Sequence, residues 1–491
     1  MVTSTPIGNP DPGCKGFPPL SGLACRFTDS SGVYEWLSGF INLESGQTHK
    51  SFRLDRMNIL AELAGHPEKC APSLHVAGSK GKGSVTGMMA SILAASGIKT
   101  ACYASPHVSD FRERIMAGNK FFEEEIYAGA GNELRVAADA IFSSPKAELF
   151  NANFSDGEEP TFFELMTMWF FLCARLAGCR AMSVETGMGG RLDATNILDP
   201  LVSVITGIEL EHTEYLGNSI EAISKEKAGI IKQGRPLVLA EQTEEALMVF
   251  REFAAGNGSP LFYFPDYAEI LDLRISAEGT SFSLKLKKKT NTDKKEDIQI
   301  YPNLFTPMHG EVMAKNSGLS VLAIKTAFPE ITDESIYSGL AGFSLPARFE
   351  KISSLPNIII DGAHTKNSMK MCIENFTSFY GKDGILIFGC AAGKDVHSMA
   401  EISVPCFSVI IITAPGTFKK SNPEEIFSVF VTEAKRINKR IDIIYVPETE
   451  EAIDRAVSLA LESSLPVLGT GSFYLAAEIR KSPLSIRGLR F

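Results

Sequence analysis

No stretch of this 491-residue chain reaches about 18 uninterrupted apolar residues, so nothing in it reads as a membrane-spanning helix. Its nine cysteines, at positions 14, 25, 70, 102, 173, 179, 372, 390 and 406, are odd in number and contain no C-x-x-C pair. Neither a disulfide framework nor a zinc knuckle has support, and several cysteines sit among apolar residues, as in Phe170-Phe171-Leu172-Cys173-Ala174. Buried thiols in a reducing cytosol are the expectation. A basic excess is also missing: 48 Lys+Arg against 58 Asp+Glu leave a formal net charge of −10, which argues against a nucleic-acid partner. There is no internal repeat and no low-complexity tract. Residues up to about Cys25 are rich in Pro, Gly and Ser but lack a basic-then-apolar pattern. Residues 1–30 are therefore expected to be a flexible arm and the protein cytoplasmic.

What the chain does have is size and one conspicuous loop. Its length exceeds a single compact core, and 44% hydrophobic with 22% charged residues is ordinary for a globular protein. The stretch Leu74-His75-Val76-Ala77-Gly78-Ser79-Lys80-Gly81-Lys82-Gly83-Ser84-Val85 reads as strand, glycine-rich turn and the start of a helix. That context lets backbone N–H groups converge on phosphate oxygens, with Lys82 as a point charge and the Ser84 hydroxyl as a donor to Mg²⁺. Gly83 stands between the lysine and the serine, which departs from the usual phosphate-loop spacing.

The remaining pattern predicts an α/β fold. Helical spacing runs through residues 33–63, 123–145, 161–177 and 316–327, with Thr161 as a cap. Strands are expected at 97–103, 181–185, 201–208 and 236–240, and 201–208 is uncharged and rich in β-branched residues, as a buried parallel strand should be. Residues 282–286 and 297–301 read as a hairpin with a solvated charged tip at 287–296. A second domain begins near Leu345, with strands at 358–360, 385–388, 409–413, 441–445 and 467–468. The expected division is an arm at 1–30, an ATP-binding domain at 31–343 and a smaller α/β domain at 344–491.

Candidate chemistry collects at the ends of predicted strands, where open parallel sheets bind ligands. Glu185 closes one strand, His212 lies just past the next, and Ser84 follows the first. Together they could hold a divalent ion on nucleotide phosphates. Taken singly, Ser84 reads as a helix cap, Glu185 as the partner of a nearby cation, and His212 as a core or capping histidine. Lys227, between Lys225 and Glu226, reads either as an exposed helix lysine or as a lysine brought beside the ion.

The blocks from His75 to Ser84, Ser105-Pro106-His107, Phe163-Glu164, Glu185 to Asn196, Glu211-His212-Thr213 and Glu226 to Lys232 resemble the folylpolyglutamate synthase/dihydrofolate synthase family of the Mur-ligase superfamily. Asn316, Pro346-Ala347-Arg348-Phe349-Glu350, Asp361-Gly362-Ala363-His364, Lys394-Asp395 and Gly469-Thr470-Gly471-Ser472 match its remaining blocks in order. The resemblance implies a Mur-ligase-like fold: a phosphate-loop ATPase domain with a parallel central sheet, plus a smaller Rossmann-like domain. It implies an ATP-dependent ligase that joins L-glutamate to a dihydropteroate or reduced-folate carboxylate through an acyl phosphate. By position, Gly78, Ser79, Lys80, Gly81, Lys82, Gly83 and Ser84 would hold phosphates, and Asn316, Arg348, Asp361 and His364 would contact the nucleotide. Ser84, Glu185, His212 and Lys227 would serve two Mg²⁺ sites, Lys227 as a carbamate. Lys82, His212, Lys227 and Arg348 would be catalytic, and Ser105, Pro106, His107, Phe163, Glu164 and Asp193 would line the acceptor side. Expected partners are small molecules, with the chain a monomer. A cell-wall Mur-type ligase or a nucleotide-binding regulator without turnover are the alternatives. Four places depart from the family pattern: Ser79-Lys80 for Thr-Asn, Ala347 for Gly, Thr365-Lys366 for Asn-Pro, and Val312-Met313 for His-Gln.

Overall fold

A computed structural model describes residues 26–42, 53–143, 160–288, 297–416 and 420–482. Residues 1–25 of the expected arm, the polar stretch 151–159 and the hairpin tip 289–296 lie outside the described residues. Residues 26–30, the end of that arm, are bound to the body of the protein. Phe27 N–H donates to Asn132 Oδ1 at 2.9 Å, and Ser30 N–H donates to Glu124 Oε2 at 2.7 Å.

The first half of the chain builds one eight-stranded sheet from β1 (Ser73–Ala77), β2 (Thr100–Tyr103), β3 (Ile115–Ala117), β4 (Lys120–Phe121), β5 (Ala181–Glu185), β6 (Val202–Ile205), β7 (Leu237–Leu239) and β8 (Leu261–Tyr263). The order across the sheet is β4-β3-β2-β5-β1-β6-β7-β8, and β3 alone runs against the others, pairing antiparallel with β2 and β4. Strands β1, β2, β5, β6 and β7 are buried at every residue, because helices cover both faces and leave no polar side to show to water. One face carries the helices Ser30–Ser38, Asp55–Leu63, Glu124–Ser143 and Phe162–Leu176, packed around Trp169, Phe170 and Phe171. The other carries Lys82–Ala95, Glu311–Ala327 and Asp333–Ala341. Thr161 caps Phe162–Leu176 as expected, in a capping box with Glu164.

A second sheet of three antiparallel strands, β9 (Ala268–Ser276), β10 (Gly279–Lys288) and β11 (Asp297–Thr306), lies against the helix Glu311–Ala327. The hairpin is β10–β11; β9 was not expected, since its residues lack a clean alternation.

The C-terminal α/β domain has six strands: β12 (Glu350–Ser354), β13 (Asn357–Ile360), β14 (Gly384–Phe388), β15 (Phe407–Ile412), β16 (Asp442–Tyr445) and β17 (Val467–Thr470). Their order is β12-β13-β17-β14-β15-β16, parallel except for β12, which pairs antiparallel with β13. The five strands read from the sequence are all present. β12 was missed because its polar, half-exposed sequence Glu350-Lys351-Ile352-Ser353-Ser354 suits an edge and carries no hydrophobic run.

Candidate active site at the strand ends

β1 is the pivot of the site. It pairs with β5 on one side and β6 on the other, so the loops leaving these three strands converge. The loop after β1 requires glycine at two points. Gly78 has φ +148°, and a Cβ there would fall 1.8 Å from Thr206 Oγ1; Gly81 has φ +87°, and its Cβ would meet Asn316 Nδ2 at 2.9 Å. Gly81 is the N-cap of the helix Lys82–Ala95, so Ser84 is not the cap it could have been. The N–H groups of Lys82, Gly83 and Ser84 open a 14-residue helix and have no intrahelical acceptor. Ser79 and Lys80 are different: their N–H groups both donate to Gly207 O, at 3.0 and 3.4 Å. Lys82 curls back so that Nζ donates to Gly78 O at 2.9 Å.

Glu185, the last residue of β5, faces this loop. A Cβ on Gly83 would lie 3.3 Å from Glu185 Oε2. The carboxylate accepts one N–H, from Ser105 at 3.1 Å. Burial pushes its pKa up to about 7, against the pull of Lys82, the Ser105 N–H and Arg114, with Asp193 adding repulsion. A buried carboxylate with a single weak donor is an incomplete cation site.

Lys227 is 1% exposed, so the reading of an exposed helix lysine fails. Its Nζ donates to Gly78 O and to Glu211 Oε1, both at 2.8 Å. Burial, then the nearby Lys82, holds its pKa below the usual lysine range, while Glu211 opposes the shift. Glu211 is a site residue that its residue type alone does not single out; its place immediately before His212, in the loop after β6, is the signal in the sequence. His212 itself is exposed, with φ +46°, at the start of the short helix Thr213–Leu216, and is neither a core nor a hydrogen-bonded capping side chain.

The C-terminal domain presents Arg348 from a tight turn in which Ala347 and Phe349 both have left-handed φ, +53° and +50°. Two carboxylates hold that turn: Glu350 Oε2 accepts from Ala347 N–H at 2.8 Å, and Asp361 Oδ2 from Phe349 N–H at 2.8 Å. Asp361 Oδ1 takes Ala363 N–H, and burial raises its pKa to about 6. Arg348 lies over the Phe473 ring at 4.6 Å; burial lowers its pKa while Asp361 and Glu185 oppose the shift. Arg348 thus stands within electrostatic reach of Glu185, on the other domain. His364 is held by Gly362 O at 2.8 Å and kept below its usual pKa by burial, with Lys394, Arg348 and Lys80 adding to the shift. Asn316, 8% exposed, keeps a buried Nδ2 with no hydrogen-bond partner, beside Gly81.

The expected acceptor-side residues divide. Ser105-Pro106, joined by a cis bond, borders Glu185, and His107 Nδ1 accepts from the buried Arg114 Nε at 2.8 Å. The Phe163 ring closes over Gly187, where a Cβ would meet it at 2.3 Å. Glu164 is already occupied: it accepts from Arg56 Nε at 3.0 and 3.1 Å and from Thr161 N–H at 2.7 Å. Asp193 likewise accepts from the N–H groups of Gly187, Met188 and Thr195 at 2.8, 2.9 and 3.0 Å and from Thr195 Oγ1 at 2.5 Å. These two carboxylates shape the walls and have little capacity left for a ligand.

The donors near the loop are oxygen-rich: the Glu185 carboxylate and the Ser84 hydroxyl, with the His212 imidazole beyond. That chemistry suits a hard divalent cation whose remaining positions come from phosphate or water. Among the described residues no group of three or more His, Cys, Asp or Glu is arranged to hold a metal ion. None of the described helices is long and apolar enough to cross a membrane.

Comparison with known proteins follows the same lines. A family profile, "Mur ligase, glutamate ligase domain", matches residues 347–473. A Bacillus subtilis protein named dihydrofolate synthase/folylpolyglutamate synthase is 30% identical over 434 residues, covering 87% of this chain and 94% of its own. Among solved structures, a folylpolyglutamate synthase from Thermotoga maritima superposes with a TM-score of 0.77 at 23% identity, over 94% of this chain and 98% of its own. An FPGS solved as a complex with AMPPCP and folate gives a TM-score of 0.70 at 27% identity, over 93% of this chain and 100% of its own.

Proposed function

We propose, from the premise that this chain belongs to the folylpolyglutamate synthase/dihydrofolate synthase family, that it ligates L-glutamate to the carboxylate of dihydropteroate and of reduced folates at the expense of ATP. The observation that carries the reading is the convergence of Lys82, the incomplete Glu185 carboxylate and the cross-domain Arg348 around one glycine loop.

An acceptor carboxylate oxygen attacks the γ-phosphorus of ATP, the bond to the β–γ bridging oxygen breaks, and ADP leaves. The amine nitrogen of glutamate then attacks the acyl carbon of the acyl phosphate and displaces inorganic phosphate. Phosphoryl transfer demands positioning and charge neutralisation more than covalent help from the protein. The helix-start N–H groups of Lys82, Gly83 and Ser84, with Lys82 Nζ, face the anion; Arg348 neutralises charge developing on the γ-phosphate; Asn316, Asp361 and His364 receive the nucleoside. Ser84, Glu185, His212 and a carbamylated Lys227 would hold Mg²⁺, which supplies electrostatic shielding of the phosphates. Capping Lys227 with CO₂ needs its neutral amine, and burial and Lys82 shift the pKa in the direction that raises the share of that form. Seating of the 344–491 domain on the 31–343 domain excludes water that would hydrolyse the acyl phosphate. The enzyme works as a cytoplasmic monomer.

The test is phosphate release by the purified protein with ATP, Mg²⁺ and L-glutamate, comparing dihydropteroate with tetrahydrofolate. Release with both supports the proposal. Release with one narrows it to a single synthase, and release with neither overturns it.

A further inference from the structure

The loop that carries Ser105-Pro106-His107 and the turn that carries Arg348 belong to different domains, and one side chain reaches both. Arg480 lies near the end of the helix Phe473–Lys481. Its Nε donates to Glu350 Oε1 at 3.0 Å, while Nη1 donates to Ser109 Oγ at 3.2 Å and stands 3.8 Å from Glu113 Oε1.

Both partners are organising groups. Glu113 closes the acceptor loop on itself: Oε2 accepts from Val108 N–H at 2.6 Å, and Oε1 from Ser109 Oγ at 2.5 Å and Asp110 N–H at 3.2 Å. Glu350 secures the other end, because its second oxygen accepts the N–H of Ala347, the left-handed residue just before Arg348. An independent apolar contact runs beside the charged one: Val108 packs against the cluster of Ala347, Ile358 and Leu475 in the C-terminal domain. The acceptor loop is therefore clamped to the second domain by an aliphatic plug and a guanidinium fork.

The Arg480 side chain is 39% exposed, so its ion pairs contribute little to stability. What a planar fork does well is fix the relative direction of two acceptors. We infer that Arg480 is a positioning residue that couples the acceptor loop to the Arg348 turn, so that seating the acceptor and delivering Arg348 to the phosphate are one event. The kinetic consequence rests on the ligase reading above. The mechanical coupling does not.

The test compares wild type with Arg480→Ala by amide hydrogen exchange without substrates, thermal melting and steady-state kinetics. The expected result is an unchanged melting temperature and faster exchange at both ends, at Val108, Ser109 and Asp110 and at Ala347. In turnover, KM for the acceptor rises and kcat falls about tenfold each, while KM for ATP moves less than about twofold. Raising the salt concentration should increase the acceptor KM more steeply in the wild type than in the variant. Arg480→Lys should stay nearer to alanine than to wild type, since one ammonium cannot span both carboxylates. Should Arg480→Ala lower the melting temperature, Arg480→Met, which keeps the aliphatic stem and removes the fork, is read the same way. Exchange that changes at one end only, or kinetics unchanged with an active wild type, overturns the coupling. A wild type that releases no phosphate with either acceptor instead overturns the ligase reading, and the exchange data still decide the clamp.

Discussion

Three buried carboxylates near the site fall into two kinds. Asp193, within the glycine-rich Thr186–Asn196 stretch, has four donors on it, and Glu164 has a buried arginine and a cap N–H. Glu185 is as deeply buried and has one N–H at 3.1 Å. A carboxylate whose lone pairs are all matched is architecture, whereas we propose that Glu185, left short beside Lys82 and within electrostatic reach of Arg348, is kept for a charge that arrives with a ligand.

The sharpest way to break the comparison is to neutralise Glu185. Glu185→Gln is expected to lower phosphate release about 10²–10³-fold with no loss of melting temperature; a variant retaining more than a tenth of wild-type turnover would place Glu185 with the architectural acids. Glu164→Gln should do the reverse. It removes the carboxylate charge that accepts from Arg56, 4% exposed, and the cost should be about 3 kcal/mol in denaturant unfolding. A stability change below about 1 kcal/mol would show that the pair does not hold the helix Phe162–Leu176 in place.

The smallest effect concerns pH. The Thr195 hydroxyl donates to Asp193, so its oxygen accepts from His75 Nε2–H at 2.7 Å, and Nδ1 is left buried without a partner. Burial, with Lys232 adding to it, drives the His75 pKa down to about 3. The folded state therefore resists protonation while the unfolded chain, near 6.5, accepts it. This contribution is fully present above pH 6.5 and is lost as pH falls towards 3, by about 1.4 kcal/mol per unit at most. Urea unfolding at pH 7.5 and 5.5 should show that loss, and His75→Gln should flatten it. A variant as pH-sensitive as wild type would assign the slope to other groups.

The parallel strands were legible because burial on both faces forces a continuous β-branched run, as in Val202-Ser203-Val204-Ile205. β9 and β12 were not, because edge strands with half-wet faces have mixed sequences that also suit loops. Within the site, the glycine loop announced itself through residue types that few other conformations need. Which acids are matched was invisible: Arg56 is 108 residues from Glu164, and nothing local marks one as the other's partner. The same holds for Lys227, whose neighbours Lys225 and Glu226 suggested solvent, while its own side chain turns inward to Glu211.

The position of β1 has a consequence for how the chain is made. Both of its edges pair with strands that emerge later, β5 at 181–185 and β6 at 202–205. During synthesis the phosphate loop therefore has no scaffold until residue 205 has left the ribosome, and Leu74, Val76 and Ala77 wait meanwhile as an apolar strand with open edges. A nascent chain stalled before that point is a natural client for chaperones, and a truncation between 100 and 200 should aggregate rather than bind nucleotide.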